Sequence, residues 1–134
     1  MKNLFSIEGK TALVTGGSRG IGEMIAAGFL ANGAKVYISS RKADTCNETA
    51  KRLQKDYGGE CISLPADLSN LEGINTLVDE LPEESLDILV NNAGASWGEP
   101  IDDYSEKGWD KVMDTNVKGV FFLTQKLLPM LRSK

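Results

Sequence analysis

Short apolar runs alternate along the chain with segments of helical periodicity. Each run is too short and too uniformly apolar for an exposed helix, so it predicts a strand that is buried on both faces. Four strands are predicted in this way, at Thr11–Thr15, Lys35–Ser39, Cys61–Leu64 and Leu86–Val90.

Helices are predicted between and after these strands, where apolar residues recur at spacings of three and four. Asn32 and Gly33 supply a stop for the first helix, and Pro129 is expected to disturb the last turn of the final one. The later helices are predicted at Asp44–Tyr57, Asn70–Leu81 and Ser105–Leu131. The apolar series of the first helix is Ile21, Met24, Ile25, Gly28 and Phe29.

This alternation predicts an α/β fold whose parallel strands are joined by right-handed crossovers. If the first three strands step in one direction and the fourth returns beside the first, the strand order is 3-2-1-4. That order is the N-terminal part of a Rossmann-type doubly wound sheet, in a single domain over residues 1–134. A ligand crevice is then expected where the order reverses, at the carboxyl ends of strands one and four.

Composition and charge narrow the classes of function. The net charge is −4 with scattered basic residues, so neither nucleic acid nor a membrane surface is an expected partner. No apolar run approaches the roughly 18 residues that span a bilayer. The chain has 2 cysteines, without CxxC or metal-ligand spacing, which predicts reduced thiols, a cytoplasmic protein and no metal. It has 0 histidines, so proton chemistry would need a tyrosine, a lysine or a carboxylate.

The loop TGGSRGIGE, at residues 15–23, has the glycines that a phosphate-binding turn needs. Gly16 is expected to make the turn, Gly20 to let the backbone approach a diphosphate, and Gly22 to let the helix pack on the sheet. Free N–H groups and the positive dipole end at the helix start would hold the anion. The remaining cofactor-binding residues predicted in this loop are Ser18, Arg19 and Ile21.

This loop has two other interpretations, a P-loop and a turn without a ligand. Gly17 and Gly22 have the glycine spacing of a kinase-type P-loop. That motif continues with Lys and then Ser or Thr, whereas this chain has Glu23 and Met24, so the P-loop is excluded. A glycine-rich turn that binds no ligand stays open as the alternative.

Three motifs resemble signatures of the short-chain dehydrogenase/reductase family, in its order and at its spacing. They are the TGxxxGxG pattern at residues 15–22, NNAG at residues 91–94, and an asparagine of the fourth helix, Asn116. The resemblance covers essentially the whole chain, and it implies a nicotinamide-dependent oxidoreductase with a small-molecule carbonyl or alcohol substrate. The stretches NNAGASWG and GWDKVMDTNV are similar to those of 3-oxoacyl reductases linked to rhamnolipid synthesis.

The family resemblance also implies roles for the loop after the fourth strand. Asn92, Ala93 and Gly94 line the nicotinamide side of the cofactor, while Asn91 ties the strand to its neighbours. Without the resemblance, the same residues are a tight turn, which Asn and Gly favour in any case.

Three further residues gain roles from the resemblance. Asp67 and Leu68 contact the adenine, and Asn116 is the catalytic asparagine that holds a water in the proton relay. Each has a plainer interpretation as well. Asp67 could begin the helix that follows it, and Asn116 could be a helix-interior amide that needs a partner.

The end of the second strand predicts the cofactor. An NAD-binding chain places a carboxylate there for the ribose 2′-hydroxyl, whereas this chain has Ser39, Ser40, Arg41 and Lys42. Cations in that place suit the 2′-phosphate of NADP(H), with Arg19 approaching as the second clamp that the resemblance implies. The alternative is that Arg41 and Lys42 lie in a solvated loop.

One departure from the family changes the expected activity. The family's Tyr-x-x-x-Lys pair is absent, because Arg41, Cys61 and Gly108 stand four residues after the 3 tyrosines. We therefore expect the N-terminal, truncated part of an NADPH-dependent reductase of a ketone such as a 3-oxoacyl thioester, inactive by itself. The complete enzyme would be a homo-oligomer, a dimer or a tetramer. The alternative is a short, non-catalytic NADP-binding protein with a sensing or assembly role.

Overall fold

A computed structural model describes residues 3–133 of the chain. Its 4-stranded parallel sheet has the order β3-β2-β1-β4, which confirms the predicted topology. The two central strands have the predicted bounds, while the outer two are shorter than predicted, by Leu64 at the end of the third and by Leu86 and Asp87 at the start of the fourth. The strands are β1 Thr11–Thr15, β2 Lys35–Ser39, β3 Cys61–Ser63 and β4 Ile88–Val90.

Five α-helices pack around this sheet within the described residues. They are α1 Gly20–Ala31, α2 Ala43–Tyr57, α3 Leu71–Glu80, α4 Glu106–Met113 and α5 Gly119–Leu131. A 3-10 turn at Ile101–Asp103 precedes α4, and a π-helical turn at Asp114–Lys118 joins α4 to α5. The prediction of a single regular helix over residues 105–131 is therefore wrong at residues 114–118.

The last turn of α5 also differs from the prediction, because Pro129 lies inside the helix and does not end it. Proline removes only one N–H from the helical ladder. The chain beyond it stays helical, and the Arg132 N–H donates to the Leu128 carbonyl at 2.9 Å. Burial of Leu127 and partial burial of Met130 and Leu131 hold this turn against the core.

The sheet divides the core into two layers. On one face, Val14 and Ile38 of the sheet pack with Ala26 of α1 and Leu53 of α2. On the other face, α3 and α5 cover the sheet. The residues buried on that second face include Leu13, Tyr37, Ile74, Leu77, Leu123 and Leu127. Because successive strand residues point to opposite faces, strands covered on both sides are apolar throughout.

Helix α1 packs through only part of the predicted face. Ile21 and Met24 are 66% and 64% exposed, whereas Ile25 and Phe29 are partly buried against the core. The buried residues of this helix are Gly22, Ala26 and Leu30. The first turn approaches the glycine loop closely, because a Cβ on Gly22 would lie 2.1 Å from the Gly16 carbonyl oxygen.

Strand β4 pairs with β1 on one side, and within residues 3–133 no strand pairs with its other side. Over the same residues, no helix combines the length and the apolar composition that a bilayer span requires.

The contact at Gly22 gives a first prediction. Replacing Gly22 by Ala should lower the free energy of unfolding by about 1–3 kcal/mol, because the new methyl group cannot fit beside the Gly16 carbonyl. The matched control is Gly28→Ala in the same helix, where a Cβ meets no atom within 4 Å. This control should be stabilising, by about 0.5–1 kcal/mol. Urea unfolding of both variants measures the difference, and equal stability would contradict the packing.

Candidate active site

A cleft of about 900 Å³ opens at the carboxyl ends of β1, β2 and β4, where the strand order reverses. It lies between the loop at residues 16–20 and the loop that follows β4. The predicted site residues that line it are Gly16, Ser18, Arg19, Gly20, Ser40, Arg41, Asp67, Leu68, Asn92, Ala93 and Gly94.

Three predicted site residues lie outside this lining. Ile21 and Gly22 belong to the first turn of α1, and Asn116 belongs to the π-helical turn. Other lining residues were not assigned from the sequence, because their side chains reach the cleft only through the packing of the helices and loops. They include Thr45, Ser69, Lys111 and Thr115.

The glycine loop has the conformation that its glycines permit. Gly16 and Gly20 have φ of 64° and 59°, which L side chains rarely adopt. A Cβ on Gly16 would lie 2.9 Å from Asn92 Nδ2, so this position tolerates no side chain. A Cβ on Gly20 would meet nothing within 4 Å. The backbone at Gly20 is therefore open to a bulky ligand in the cleft.

The hydroxyl group of Thr15 joins the two loops of the cleft. Thr15 is 1% exposed, and its Oγ1 donates to the Val90 carbonyl at 3.3 Å. The same oxygen accepts from the N–H groups of Asn92 and Ala93, each at 3.0 Å. Asn92 Nδ2 returns a hydrogen bond to the Gly16 carbonyl at 3.2 Å. These contacts fix the position of one loop relative to the other.

The wall at the end of β2 is cationic. Arg41 and Lys42 line the cleft there beside Ser39 and Ser40. Within residues 3–133, the Oγ atoms of these two serines are buried and have no hydrogen-bond partner. A buried hydroxyl without a partner is costly, and the cations of Arg41 and Lys42 are the charged donors of this wall.

Asp67 lies near the cation Arg41. Its carboxylate accepts from the Ser69 hydroxyl at 2.6 Å and from the Ser69 N–H at 3.0 Å. The Ser69 hydroxyl hydrogen bond is the largest cause that lowers the pKa of Asp67, and the charge of Arg41 lowers it further. Asp67 does not cap α3, because Asn70 is the N-cap and accepts from the Gly73 N–H at 2.7 Å. The capping interpretation of Asp67 is therefore wrong.

Asn116 has a protein partner for both ends of its amide. Its Oδ1 accepts from the Ala95 N–H at 2.9 Å, and its Nδ2 donates to the Ala95 carbonyl at 2.8 Å. The side chain therefore holds the loop after Gly94 against the π-helical turn. Its predicted role with a catalytic water stays a prediction.

Asn91, the first residue of the NNAG motif, anchors the end of β4 to a helix. Its Nδ2 donates to Thr124 Oγ1 of α5 at 3.1 Å.

Farther along this loop, the carboxylate of Glu99 connects two other side chains. Glu99 accepts from Ser105 Oγ at 2.6 Å and from Trp97 Nε1. The Ser105 hydrogen bond, followed by that of Trp97, lowers the pKa of Glu99. The ring of Trp97 also fills the space above Gly108, where a Cβ would come within 2.4 Å of it. Neighbouring Ser96 is thereby held at the cleft.

The sequence of this chain is similar to those of known proteins. A family model described as short chain dehydrogenase matches residues 10–134. The chain is 54% identical to the rhamnolipids biosynthesis 3-oxoacyl-[acyl-carrier-protein] reductase of Pseudomonas aeruginosa, over 98% of this chain and 52% of that protein. It is 41% identical to the 2-dehydro-3-deoxy-D-gluconate 5-dehydrogenase of Escherichia coli, over 90% of this chain and 47% of that protein. The chain thus spans about half the length of these curated relatives.

Solved structures show the same likeness. The Pseudomonas aeruginosa RhlG/NADP active-site complex matches with a TM-score of 0.91 and 52% identity, over 98% of this chain and 52% of that one. The L-sorbose reductase of Gluconobacter frateurii, complexed with NADPH and L-sorbose, matches with a TM-score of 0.90 and 32% identity. That match covers 96% of this chain and 49% of the reductase.

The Thr15 hydroxyl gives a second prediction. Thr15→Val keeps the shape of the side chain but removes the oxygen that accepts from the Ala93 N–H. It also removes one of the two acceptors of the Asn92 N–H, which keeps only the Val90 carbonyl at 3.0 Å. The free energy of unfolding should fall by about 1–3 kcal/mol. Thr15→Ser keeps the oxygen and should recover most of the loss. Chemical denaturation compares the three proteins, and a Thr15→Val protein as stable as the wild type would contradict this role.

The carboxylate of Asp67 gives a third prediction. Because its folded-state pKa is lowered, its stabilising contribution is present above the ordinary aspartate pKa and is lost as the pH falls through the folded value. Ser69→Ala should raise the pKa of Asp67 toward the ordinary value. Ser105→Ala is the control, because its hydroxyl contacts Glu99 instead. Carboxyl-carbon NMR titration measures the pKa of Asp67 in both variants. An unchanged Asp67 pKa in Ser69→Ala would show that the Ser69 hydroxyl does not lower it.

Proposed function

The chain belongs to the short-chain dehydrogenase family, and from this premise we propose that its cleft binds NADP(H). The chain would serve as the cofactor-binding part of an oxidoreductase that reduces a carbonyl group to an alcohol. Support comes from the position of the cleft at the reversal of strand order, which is where doubly wound sheets bind dinucleotides.

The observation that carries this proposal is the chemistry of the wall at the end of β2. Arg41 and Lys42 line the cleft there. Guanidinium and ammonium groups both donate to phosphate oxygens. No carboxylate stands at residues 39–42 to accept from a ribose 2′-hydroxyl. This set of donors fits a 2′-phosphate and so favours NADP(H) over NAD(H).

The glycine loop fits the diphosphate of the same molecule. Gly20 leaves the backbone open, and helix α1 begins at that residue. The first N–H groups of a helix have no partner inside the helix, and they carry the positive end of its dipole. We therefore assign the diphosphate to the start of α1 and the adenine to the wall with Asp67 and Leu68.

The other end of the cleft would receive the nicotinamide. Asn92, Ala93 and Gly94 form that wall, and Asn116 holds it in place through Ala95. When bound, the reduced nicotinamide supplies a hydride. The chain's own contribution is to keep this wall in one position, so that the reacting face is presented in a fixed orientation.

None of the tyrosines at positions 37, 57 and 104 lines the cleft. Burial, and then the hydrogen bond to Glu83 at 2.6 Å, raise the pKa of Tyr37, which makes its phenol a weaker acid. We therefore assign no role in the cleft to the tyrosines of this chain.

The substrate class rests on the relatives. The 54% identical relative is named for reduction of a 3-oxoacyl group on acyl-carrier protein, so a 3-oxoacyl thioester is the substrate we propose. Assembly into a dimer or tetramer and a cytoplasmic location stay predictions.

A charge reversal tests the cofactor assignment. Arg41→Asp should weaken NADPH binding by about 1.5–3 kcal/mol, because it removes a charge-assisted contact with the 2′-phosphate. NADH binding should change much less. Lys55→Asp, in the last turn of α2, is a matched charge change at a residue that does not line the cleft. Calorimetric titration of NADPH and NADH against wild type, Arg41→Asp and Lys55→Asp measures these affinities. Equal NADPH affinity in wild type and Arg41→Asp would contradict the phosphate site.

Carbonyl reduction needs a separate test. A longer polypeptide that continues this chain with a fifth strand and a Tyr-x-x-x-Lys helix should consume NADPH with a 3-oxoacyl thioester, and the 134-residue chain should not. Turnover by the 134-residue chain would contradict the assignment of its residues to binding alone. NADPH binding without turnover in either protein would favour the sensing or assembly role.

A further inference from the structure

One threonine of α2 reaches the glycine loop from outside the cleft. Thr49 is 3% exposed, and its Oγ1 donates to the Ser18 carbonyl at 2.9 Å. We propose that Thr49 is a positioning residue for cofactor binding, which holds the peptide between Ser18 and Arg19 in the orientation that receives the 2′-phosphate. This inference rests on the proposed function.

The acceptor of this hydrogen bond is unusual for a threonine in a helix. A threonine inside a helix commonly donates to the carbonyl of its own helix four residues earlier. Thr76 of α3 and Thr124 of α5 do so here, with Glu72 and Val120 as acceptors. Thr49 donates instead to a loop residue 31 positions earlier in the chain. The threonine therefore joins two separate segments and does not serve its own helix.

The bound carbonyl fixes the adjacent N–H. All peptide bonds of the described residues are trans, so the Arg19 N–H points opposite to the Ser18 carbonyl. With that carbonyl directed at α2, the Arg19 N–H is directed away from α2. Ser18 and Arg19 both line the cleft, and Arg19 has an extended backbone as the N-cap of α1. Rotation of this peptide would move the Arg19 N–H and redirect the start of its side chain.

A second contact joins the same two elements. Arg52, three residues after Thr49 on α2, donates to Glu23 of α1 at 2.5 Å. Arg52 is largely exposed, and exposed pairs contribute little to stability. Thr49 is buried, and removing its hydroxyl would leave the Ser18 carbonyl without this donor in a dry environment. We therefore place the positioning role on Thr49 and not on the ion pair.

The expected effect is on cofactor preference and not only on stability. If the loop adopts the binding-competent orientation in a smaller fraction of molecules, affinity falls by that fraction. The loss should be larger for NADP⁺ than for NAD⁺, because Arg19 is a proposed ligand of the 2′-phosphate. A purely structural role would weaken both cofactors equally.

The test is calorimetric titration of the purified protein with NADP⁺ and NAD⁺. Thr49→Val should weaken NADP⁺ binding about tenfold, equivalent to about 1.4 kcal/mol, and NAD⁺ binding clearly less. Thr49→Ser keeps the hydroxyl and should restore most of the preference. Leu53→Val, a core change on the same helix, should lower the melting temperature and leave the preference unchanged. If Thr49→Val does not fold, Thr49→Ala provides the same comparison.

The possible results distinguish the positioning role of Thr49 from the proposed binding of NADP(H). If wild type prefers NADP⁺ and the variant lacking the hydroxyl keeps that preference, the positioning role of Thr49 is wrong while the proposed function stands. If wild type binds neither cofactor, or binds both equally, the proposed function fails, and the role of Thr49 fails with it.

Discussion

The hydroxyl group of Thr15 is the contact on which the geometry of the cleft depends. It lies at the end of the central strand β1, and it binds the last carbonyl of β4 and the N–H groups of Asn92 and Ala93 in the loop that follows. Parallel strands bring their carboxyl ends to one edge of the sheet, but the pairing of β1 with β4 alone does not fix the loops beyond it. One buried oxygen with three partners does, and Asn92 completes the connection through the Gly16 carbonyl.

The remaining features of the cleft follow from that fixed edge. Gly16 turns with a positive φ against Asn92, and Gly22 lets α1 start directly behind the Gly16 carbonyl. The start of a helix is therefore placed beside the ends of three strands. With Arg41 at the end of β2, one cleft has the start of a helix at its centre and cations on one wall. That combination is suited to a dinucleotide with an additional phosphate.

Local patterns were sufficient to predict the sheet. The four apolar runs follow from patterns within a few residues of each other, and their alternation with helices favours the observed strand order. Asp67, Leu68 and residues 92–94 of the cleft lining were predicted from the family resemblance and not from local patterns. The inward face of α1 was predicted only in part, because a hydrophobic pattern does not mark the buried small residues Gly22 and Ala26. The π-helical turn and the continuation of α5 past Pro129 depend on tertiary contacts that the sequence does not display locally.

The hydrogen bonds that position the site were missed for a related reason. Thr15 reaches residues 75 or more positions away in the chain, and Thr49 reaches back 31 positions. A threonine in a strand or a helix is ordinary in a sequence, since its partner is set only by the fold. Thr15 gives one weak signal, because it directly precedes the glycine loop, whereas the sequence around Thr49 gives none.

The central claim, that NADP(H) binds in this cleft through the glycine loop and the β2 wall, is tested most directly by NMR. Backbone amide signals would be followed while NADP⁺ is added to the protein. If NADP⁺ binds in the cleft, the shifted amides should cluster at residues 16–22, 40–42, 67–68 and 92–94. Shifts confined to the apolar groove formed by Phe5, Ile25 and Phe29, or no shifts at saturating NADP⁺, would contradict it.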